Sequence, residues 1–328
     1  MQSKIAIAIG DPNGIGPEIA VKAAALAAGG SLEVVLVGDE HVIRHYVQQH
    51  SSGLALQPFD ATTPAAAGAL SYVAVDALAP ADFKPGTVSA AAGRATVFYA
   101  AAAVRLAMEG AVDAVVGCPH SETAINSAGI PFSGYPQLVA ELTSTPPEKV
   151  FLMLVAAGLR IVHVTLHESV RTALARINVD LIVQAGLAAA QAGRALGLGE
   201  VKLGVFGINP HAGEDGLFGD DDERISKVAV GRLRELGIAA DGPLGADLLL
   251  GQRRHDIYLA MFHDQGHIPI KLLSPLRASA LTVGTPVLFS SVGHGSAFDI
   301  AGQGIADPVS LIETLALLQR AAETESSA

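Results

Sequence analysis

The chain has almost no sulfur chemistry. A single cysteine, Cys118, stands among 328 residues, which excludes an internal disulfide and a disulfide-stapled secreted fold. Tryptophan is absent, and the abundance of alanine and glycine in its place fits tightly packed helix layers. Cations are scarce: 21 Lys and Arg face 32 Asp and Glu, a net charge of −11. That balance excludes a nucleic-acid surface, because neutralising phosphates needs clustered Lys and Arg. A small molecule is the expected partner. No apolar run reaches the roughly 20 residues that a membrane span requires. The N-terminus passes into the apolar run Ile5–Ile9 without a charged leader segment, so a cytoplasmic location is expected.

What is present is alternation. Short β-branched runs predict strands at Ile5 to Ile9, Glu33 to Val37, Ala114 to Gly117, Val150 to Val155, Leu159 to Val164, Val201 to Gly207, Ile257 to Phe262 and Val287 to Ser290. Longer Ala-rich amphipathic stretches predict helices at Pro17 to Ala28, Ala90 to Glu109, Val170 to Leu196, Ser226 to Leu236 and Asp307 to Glu323. The fold class is therefore α/β, with helices covering sheets whose near-continuous apolar strands are buried on both faces. The stretch Gln57 to Ser89, rich in Ala, Pro and Gly, reads as a loop or insertion.

Three of the eleven histidines close segments in which a polar cluster follows an apolar run: Val164-Thr-Leu-His167, Phe206-Gly-Ile-Asn-Pro-His211 and Leu259-Ala-Met-Phe-His263. Neutral imidazole is the commonest transition-metal ligand, and strand ends gather side chains from distant parts of a chain. These three read as one metal site. Histidine ligands suit zinc, cobalt, nickel or iron alike. His163 and His267 also stand four residues from His167 and His263, but in strand-like or Gly-broken context, and are expected to be packed or hydrogen-bonded instead.

Two Gly-rich segments follow strands. In Gly10-Asp-Pro-Asn-Gly-Ile-Gly-Pro-Glu18 the spacing is wrong for a dinucleotide fingerprint, and Pro12 and Pro17 remove donors that a phosphate cradle would use. It reads as a tight strand-to-helix turn lining a cleft, with Pro17 and Glu18 suiting a helix start. The second is His294-Gly-Ser-Ala-Phe-Asp-Ile-Ala-Gly-Gln-Gly-Ile-Ala-Asp307-Pro. Its small residues would let a flat ligand approach the backbone.

This second segment resembles the adenosine-binding loop of isopropylmalate-type decarboxylating dehydrogenases. The resemblance implies cofactor binding by His294, Gly295, Ser296, Ala297, Asp299 and Asp307, with Asp299 on the adenosine ribose hydroxyls, which favours NAD over NADP. Further runs, Ile125-Asn-x-Ala-Gly-Ile-Pro-Phe-x-Gly134, Asn209-Pro-His-Ala-Gly213, His263-Asp-Gln-Gly266 with Lys271, and Ser291-Val-x-His-Gly295, are similar to the 4-hydroxythreonine-4-phosphate dehydrogenase family of the pyridoxine pathway. That resemblance covers nearly the whole chain. It implies a two-domain isopropylmalate dehydrogenase-like fold with an interdomain cleft: a discontinuous nucleotide-binding domain of residues 1–120 and 275–328, and a metal, substrate and dimerisation domain of residues 121–274. It also implies a homodimer whose active site is shared between subunits, with the metal on His167, His211 and His263.

Departures from the phosphate-binding members set the substrate expectation. Tyr135-Pro136 replaces their His-Thr pair, Glu122 replaces a Lys, and apolar residues near Ala280 and Phe289 replace an Asn and an Arg. Losing an Arg that grips a dianion makes phosphate binding unfavourable. Runs such as Cys118-Pro-His-x-Glu122 and His263-Asp-Gln-Gly-His-Ile-Pro-Ile-Lys271 resemble the terephthalate dihydrodiol dehydrogenase branch. Oxidative decarboxylation of the cis-dihydrodiol dicarboxylate of terephthalate to protocatechuate and CO2 is then the implied reaction, with Tyr135, Phe289, Glu122 and Lys271 around a small carboxylate substrate. Lys271 is the candidate for a substrate carboxylate or proton partner, and Asp247 and Asp264 are candidates for orienting an imidazole or relaying a proton. The alternatives are a phosphorylated substrate, 4-hydroxythreonine 4-phosphate or a sugar acid, or a metal-dependent hydrolase without nicotinamide. Cys118, lacking a basic neighbour, reads as a small buried hydrophobe, and Asp220 to Glu223 as a solvated helix start.

Overall fold

The first expected strand forms as β1 (Ser3–Ala8), with Ile5, Ala6, Ile7 and Ala8 fully buried. The computed structural model describes residues 2–275 and 277–325, in two compact units: Met1–Thr143 with Pro286–Ala328, and Ser144–Thr285. After β1 the first unit runs through α1 (Gly16–Ala27), β2 (Leu32–Gly38), α2 (Glu40–His50), β3 (Ala55–Pro58), β4 (Ala69–Ala74), α3 (Ala90–Met108), β5 (Ala114–Gly117), α4 (Glu122–Ser127) and α5 (Tyr135–Leu142). The second unit holds β6 (Phe151–Ala156), β7 (Leu159–His163), α6 (Val170–Arg176), α7 (Val179–Ala195), β8 (Lys202–Phe206), α8 (Lys227–Glu235), β9 (Ala239–Leu244), α9 (Ala246–Gln252), β10 (Ile257–Ala260), α10 (His263–Leu273) and β11 (Ser279–Val283). The chain closes the first unit with β12 (Phe289–Val292) and α11 (Val309–Glu325).

In the first unit every strand pairing is parallel, in the order β3-β4-β2-β1-β5-β12. The fully buried β2 and β5 need cover on both faces; α3 packs on β1, β2 and β5, and α11 on β1 and β12. From β1 the chain steps first to β2 on one side and later to β5 on the other. The order reverses between β1 and β5, which is where open α/β sheets gather ligands at the carboxyl ends of strands. In the second unit the order is β11-β6-β7-β10-β8-β9, antiparallel among β11, β6 and β7 and parallel from β7 to β9. The carboxyl ends of β7, β10 and β8 therefore stand side by side.

The unit boundaries lie later than residues 120 and 275. Helices α4 and α5 pack against α3, which holds them in the first unit, and β11 pairs antiparallel with β6, which holds it in the second. Within Gln57 to Ser89, read as a loop, β4 adds a parallel strand to β2. The expected helix Val170 to Leu196 is two helices, because Asn178 caps α7 with its carboxamide oxygen accepting from Leu181 N–H at 2.9 Å.

A two-residue turn, Ala157-Gly158, joins β6 to β7 with φ values of 49° and 76°. This hairpin geometry favours Asn-Gly, and an alanine held left-handed costs about 1–2 kcal/mol. Ala157 is exposed, so Ala157→Asn is expected to stabilise the fold by about 1 kcal/mol and raise the thermal midpoint by about 2 °C. A lower midpoint in calorimetry would contradict that reading of the turn.

Candidate active site

Three neighbouring strand ends of the second unit carry the three histidines. His167 lies on the loop after β7, His211 on the turn after β8, and His263 opens α10 just after β10. Side-chain and backbone ties knit these segments. Val164 N–H donates to the Ala260 carbonyl at 2.8 Å, and the Thr165 hydroxyl donates to the Met261 carbonyl at 2.6 Å, binding the β7 loop to the end of β10. Gln265 reaches back from α10: its carboxamide oxygen accepts from Met261 and Phe262 N–H at 2.8 and 3.1 Å, and its amide donates to the Gly207 carbonyl at 3.0 Å. One side chain thereby joins the ends of β10 and β8.

The rings of His167 and His263 are 5.6 Å apart, centre to centre. Two imidazoles on one tetrahedral cation, with bonds of about 2 Å, have ring centres about 5 Å apart, so this pair fits a shared metal. The Asp264 carboxylate accepts from His263 Nδ1 at 2.8 Å, leaving Nε2 as the free lone pair. Asp264 itself is exposed at the head of α10. His211 does not join the pair within the chain; its ring neighbour is Phe218 at 6.1 Å. Among the described residues no group of three His, Cys, Asp or Glu side chains is placed to hold a metal. One chain brings together two of the three histidines.

His211 sits in a strained turn, with φ of 53° at His211 and 54° at Ala212. Asp222, 1 % exposed, fixes that turn by accepting from Ile208 and Asn209 N–H, each at 2.8 Å. The reading of Asp220 to Glu223 as solvated therefore fails at Asp222, whose carboxylate the backbone donors draw inside.

His263 and His267 also differ from expectation, since they lie on a helix. Their rings stack at 3.7 Å and 12°. His163 Nδ1–H donates to the Leu152 carbonyl at 3.1 Å, a bond that fixes its tautomer, so His163 Nε2 accepts from His267 Nδ1–H at 3.0 Å. Burial holds His163 neutral, its pKa down to about 3, and lowers His267 to about 4, with the neighbouring histidines adding to both effects. Gly266 makes room for this: a Cβ there would fall 2.2 Å from His163 Nε2. The spacing His263-x3-His267-x3-Lys271 puts all three on one helix face. Lys271 is half-buried, and burial lowers its pKa. Asp247 is exposed in the first turn of α9.

In the first unit, Glu122 is exposed at the start of α4. Tyr135 and Phe289 are not presented to a ligand: they are 3 % and 0 % exposed, their ring centres 5.0 Å apart, and the Tyr135 hydroxyl donates to the Cys118 carbonyl at 2.8 Å. Gly117 admits them, since a Cβ there would lie 2.7 Å from the Tyr135 ring and 2.9 Å from Phe289. In this structure both side chains pack in the core of the first unit. His120 sits against Phe132 and Tyr135 at 4.9 and 4.5 Å, its pKa lowered to about 4 by burial. Cys118 is fully buried and its thiol pKa raised by that burial, as befits a small hydrophobe.

The loop His294–Asp307 follows β12. Within it Ser296 is buried and Asp299 is exposed. His294 and Ala297 are partly exposed and Gly295 is exposed; Asp307 Oδ1 accepts from Val309 N–H at 2.9 Å at the head of α11. Asp39, just past the end of β2, takes a structural role. It is 3 % exposed and its carboxylate is committed to Tyr99 and to the Ala77 and Leu78 N–H groups.

The model of the family described as pyridoxal phosphate biosynthetic protein PdxA matches residues 31–318. The chain belongs to this family. It is 51% identical over 316 residues, 96% of each sequence, to the 1,2-dihydroxy-3,5-cyclohexadiene-1,4-dicarboxylate dehydrogenase of a Comamonas species. To the D-threonate 4-phosphate dehydrogenase of Cupriavidus necator it is 38% identical over 317 residues, 95% of each. Among solved structures, the terephthalate 1,2-cis-dihydrodiol dehydrogenase of Burkholderia xenovorans LB400 is 49% identical with a TM-score of 0.76, covering 97% of this chain and 98% of that one. The 4-hydroxythreonine-4-phosphate dehydrogenase of Klebsiella pneumoniae is 33% identical with a TM-score of 0.86, covering 98% and 100%. These PdxA-family relatives are dehydrogenases by name and support an oxidoreductase rather than a hydrolase.

Sequence reading passed over Asp11. It lies just past β1 at the point where the strand order reverses, fully buried, with Oδ1 accepting from Asn13 N–H at 2.9 Å and Oδ2 buried with no hydrogen-bond partner. Burial raises its pKa to about 6, against the lowering pull of the Asn13 and Gly14 N–H groups. A carboxyl raised in the folded state stabilises the fold below its unfolded pKa and loses that contribution as pH rises through about 6. Asp11→Asn is therefore expected to match the parent at pH 4 and exceed it by about 3 kcal/mol at pH 7 in urea unfolding. A constant difference across that range would contradict the assignment.

Proposed function

We propose that this chain is an NAD- and divalent-metal-dependent dehydrogenase that oxidises and decarboxylates a non-phosphorylated cyclic diol carboxylate, the cis-dihydrodiol dicarboxylate of terephthalate. The observation that carries the reading is the His167–His263 pair, in a chain half identical to a dihydrodiol dicarboxylate dehydrogenase. A divalent cation held by His167 and His263 would supply Lewis acidity to a substrate oxygen, and NAD would supply the hydride acceptor.

The residues of the chain hold and orient. Asp264 fixes the His263 tautomer, the stacked His267 supports its ring, and the Leu152–His163 bond fixes His267 in turn. Lys271, one turn further along α10, is suited to bind a substrate carboxylate or pass a proton. Exposed Asp299 suits ribose hydroxyls and repels a ribose phosphate. Loss of hydride from the ring carbon bearing the secondary hydroxyl, with loss of the hydroxyl proton, leaves a ketone β to the neighbouring carboxylate. The bond to that carboxylate then breaks, its electron pair enters the ring as CO2 leaves, and the ketone oxygen takes up a proton as the ring becomes aromatic, giving protocatechuate.

The third histidine, His211, is proposed to complete the metal site in a homodimer. Large apolar side chains stand exposed on the second unit, among them Ile268 at 53 % and Leu272 at 78 % on α10 and Leu217 at 72 % beside the His211 turn. A second copy of the chain is the occupant that would cover them. The chain carries Tyr135, Pro136, Glu122 and Phe289 in place of the family's phosphate-binding residues, which supports the non-phosphorylated substrate.

The test is NADH formation. With zinc or another of the four divalent metals, the terephthalate dihydrodiol is expected to yield NADH, CO2 and protocatechuate in equal amounts, and His263→Ala or a chelator is expected to lower kcat/KM by at least a thousandfold, on the scale of removing a dominant electrostatic contributor. Turnover of phosphorylated hydroxy acids alone would overturn the substrate, and full activity in His263→Ala would overturn the metal site.

A further inference from the structure

The Gly10–Glu18 motif serves as the seat of the loop His294–Asp307. Ile15 N–H donates to the Ser296 carbonyl at 2.9 Å, and a Cβ at Gly14 would fall 2.9 Å from that of Ser296. One helical turn on, Glu18 is fully buried; its Oε1 accepts from Ala306 N–H at 2.9 Å and from Lys22 Nζ at 2.7 Å. Lys22 Nζ also donates to the carbonyls of Gly304 at 3.0 Å and Ala306 at 2.8 Å. A single ion pair on α1, its carboxylate buried and its ammonium partly exposed, therefore holds three backbone groups at the far limb of the loop. Gly302, between the two anchors, and Gly304, at the second of them, each adopt φ of 77°, so the backbone there is free to take other shapes unless it is tied.

We propose that Glu18 and Lys22 are positioning residues for an adenine dinucleotide: they set the backbone of Gly304–Ala306, and through the loop the presentation of Asp299. The inference rests on the reading of His294–Asp307 as the NAD loop. A partly buried ion pair is a weak source of stability, because the attraction is offset by the cost of desolvating the charges. What apolar replacements cannot supply is the simultaneous grip on one N–H and two carbonyls. Positioning of the loop, rather than rigidity of α1, is what the pair contributes.

The direct test is NADH binding without substrate, read by nucleotide fluorescence, in Glu18→Gln/Lys22→Met, where both charges leave together. Affinity is expected to fall about tenfold, KM for NAD to rise about tenfold with kcat within twofold and the KM of the organic substrate unchanged, and the Ala306 amide to exchange about tenfold faster. Asp299→Ala is the control for the loop itself. Parent-like NADH affinity in the double variant beside a weakened Asp299→Ala overturns the positioning role and leaves the loop reading intact. Parent-like affinity in both overturns the two together. Should the double variant be recovered unfolded, Lys22→Gln, which keeps the Glu18 bond to Ala306, is read in its place: weaker NADH binding supports the role and unchanged binding overturns it.

Discussion

The second unit depends on the carboxamide of Gln265. It answers two N–H groups past the end of β10 and the carbonyl just past β8, groups left over where strand pairing stops. Buried backbone groups cannot stay unpaired without a cost of about 1–3 kcal/mol each. Satisfying three with one side chain fixes where α10 begins, and so where His263 stands. Thr165 extends the same constraint to the β7 loop and hence to His167. The geometry of the histidine pair follows from how strand ends are closed.

The same device recurs with charge. Asp222 closes the Ile208-Asn209 turn, Asp39 closes the Ala77-Leu78 turn, and Glu18 with Lys22 closes the limb at Gly304–Ala306. Hydrogen bonds from backbone N–H groups to a buried carboxylate are worth about 1.5–3 kcal/mol each. That is enough to hold positive φ values at His211 and Ala212, which alone would be unfavourable. A protein poor in aromatic residues thus shapes its functional loops with buried polar side chains gripping backbone, while alanine and aliphatic residues fill its sheets.

How legible this was in the sequence varies with range. The apolar strands β1, β2, β5 and β10 and helices α3 and α11 declared themselves through composition and period, and the α/β class followed. Helix α2 was passed over although Val42, Ile43, Tyr46 and Val47 form its buried stripe. Helix α10 was hidden by Gly266 and Pro269, residues that oppose a helix by propensity; tertiary contact with His163 requires the glycine. The histidines at the ends of β7 and β10 were readable because parallel strands end on one side. That Tyr135 and Phe289 turn inward was not, because it depends on the missing Cβ of Gly117, a contact between residues remote in sequence. Asp222, Glu18 and Asp11 look like ordinary helix-end or turn carboxylates until the burial around them is known.

The central claim is that His167 and His263 of one chain bind the same divalent cation. Crystals grown with zinc and measured on both sides of its absorption edge locate the ion directly. The expected result is an anomalous peak about 2 Å from a ring nitrogen of each of these two histidines. Zinc bound elsewhere, with neither ring coordinating it, would contradict the claim.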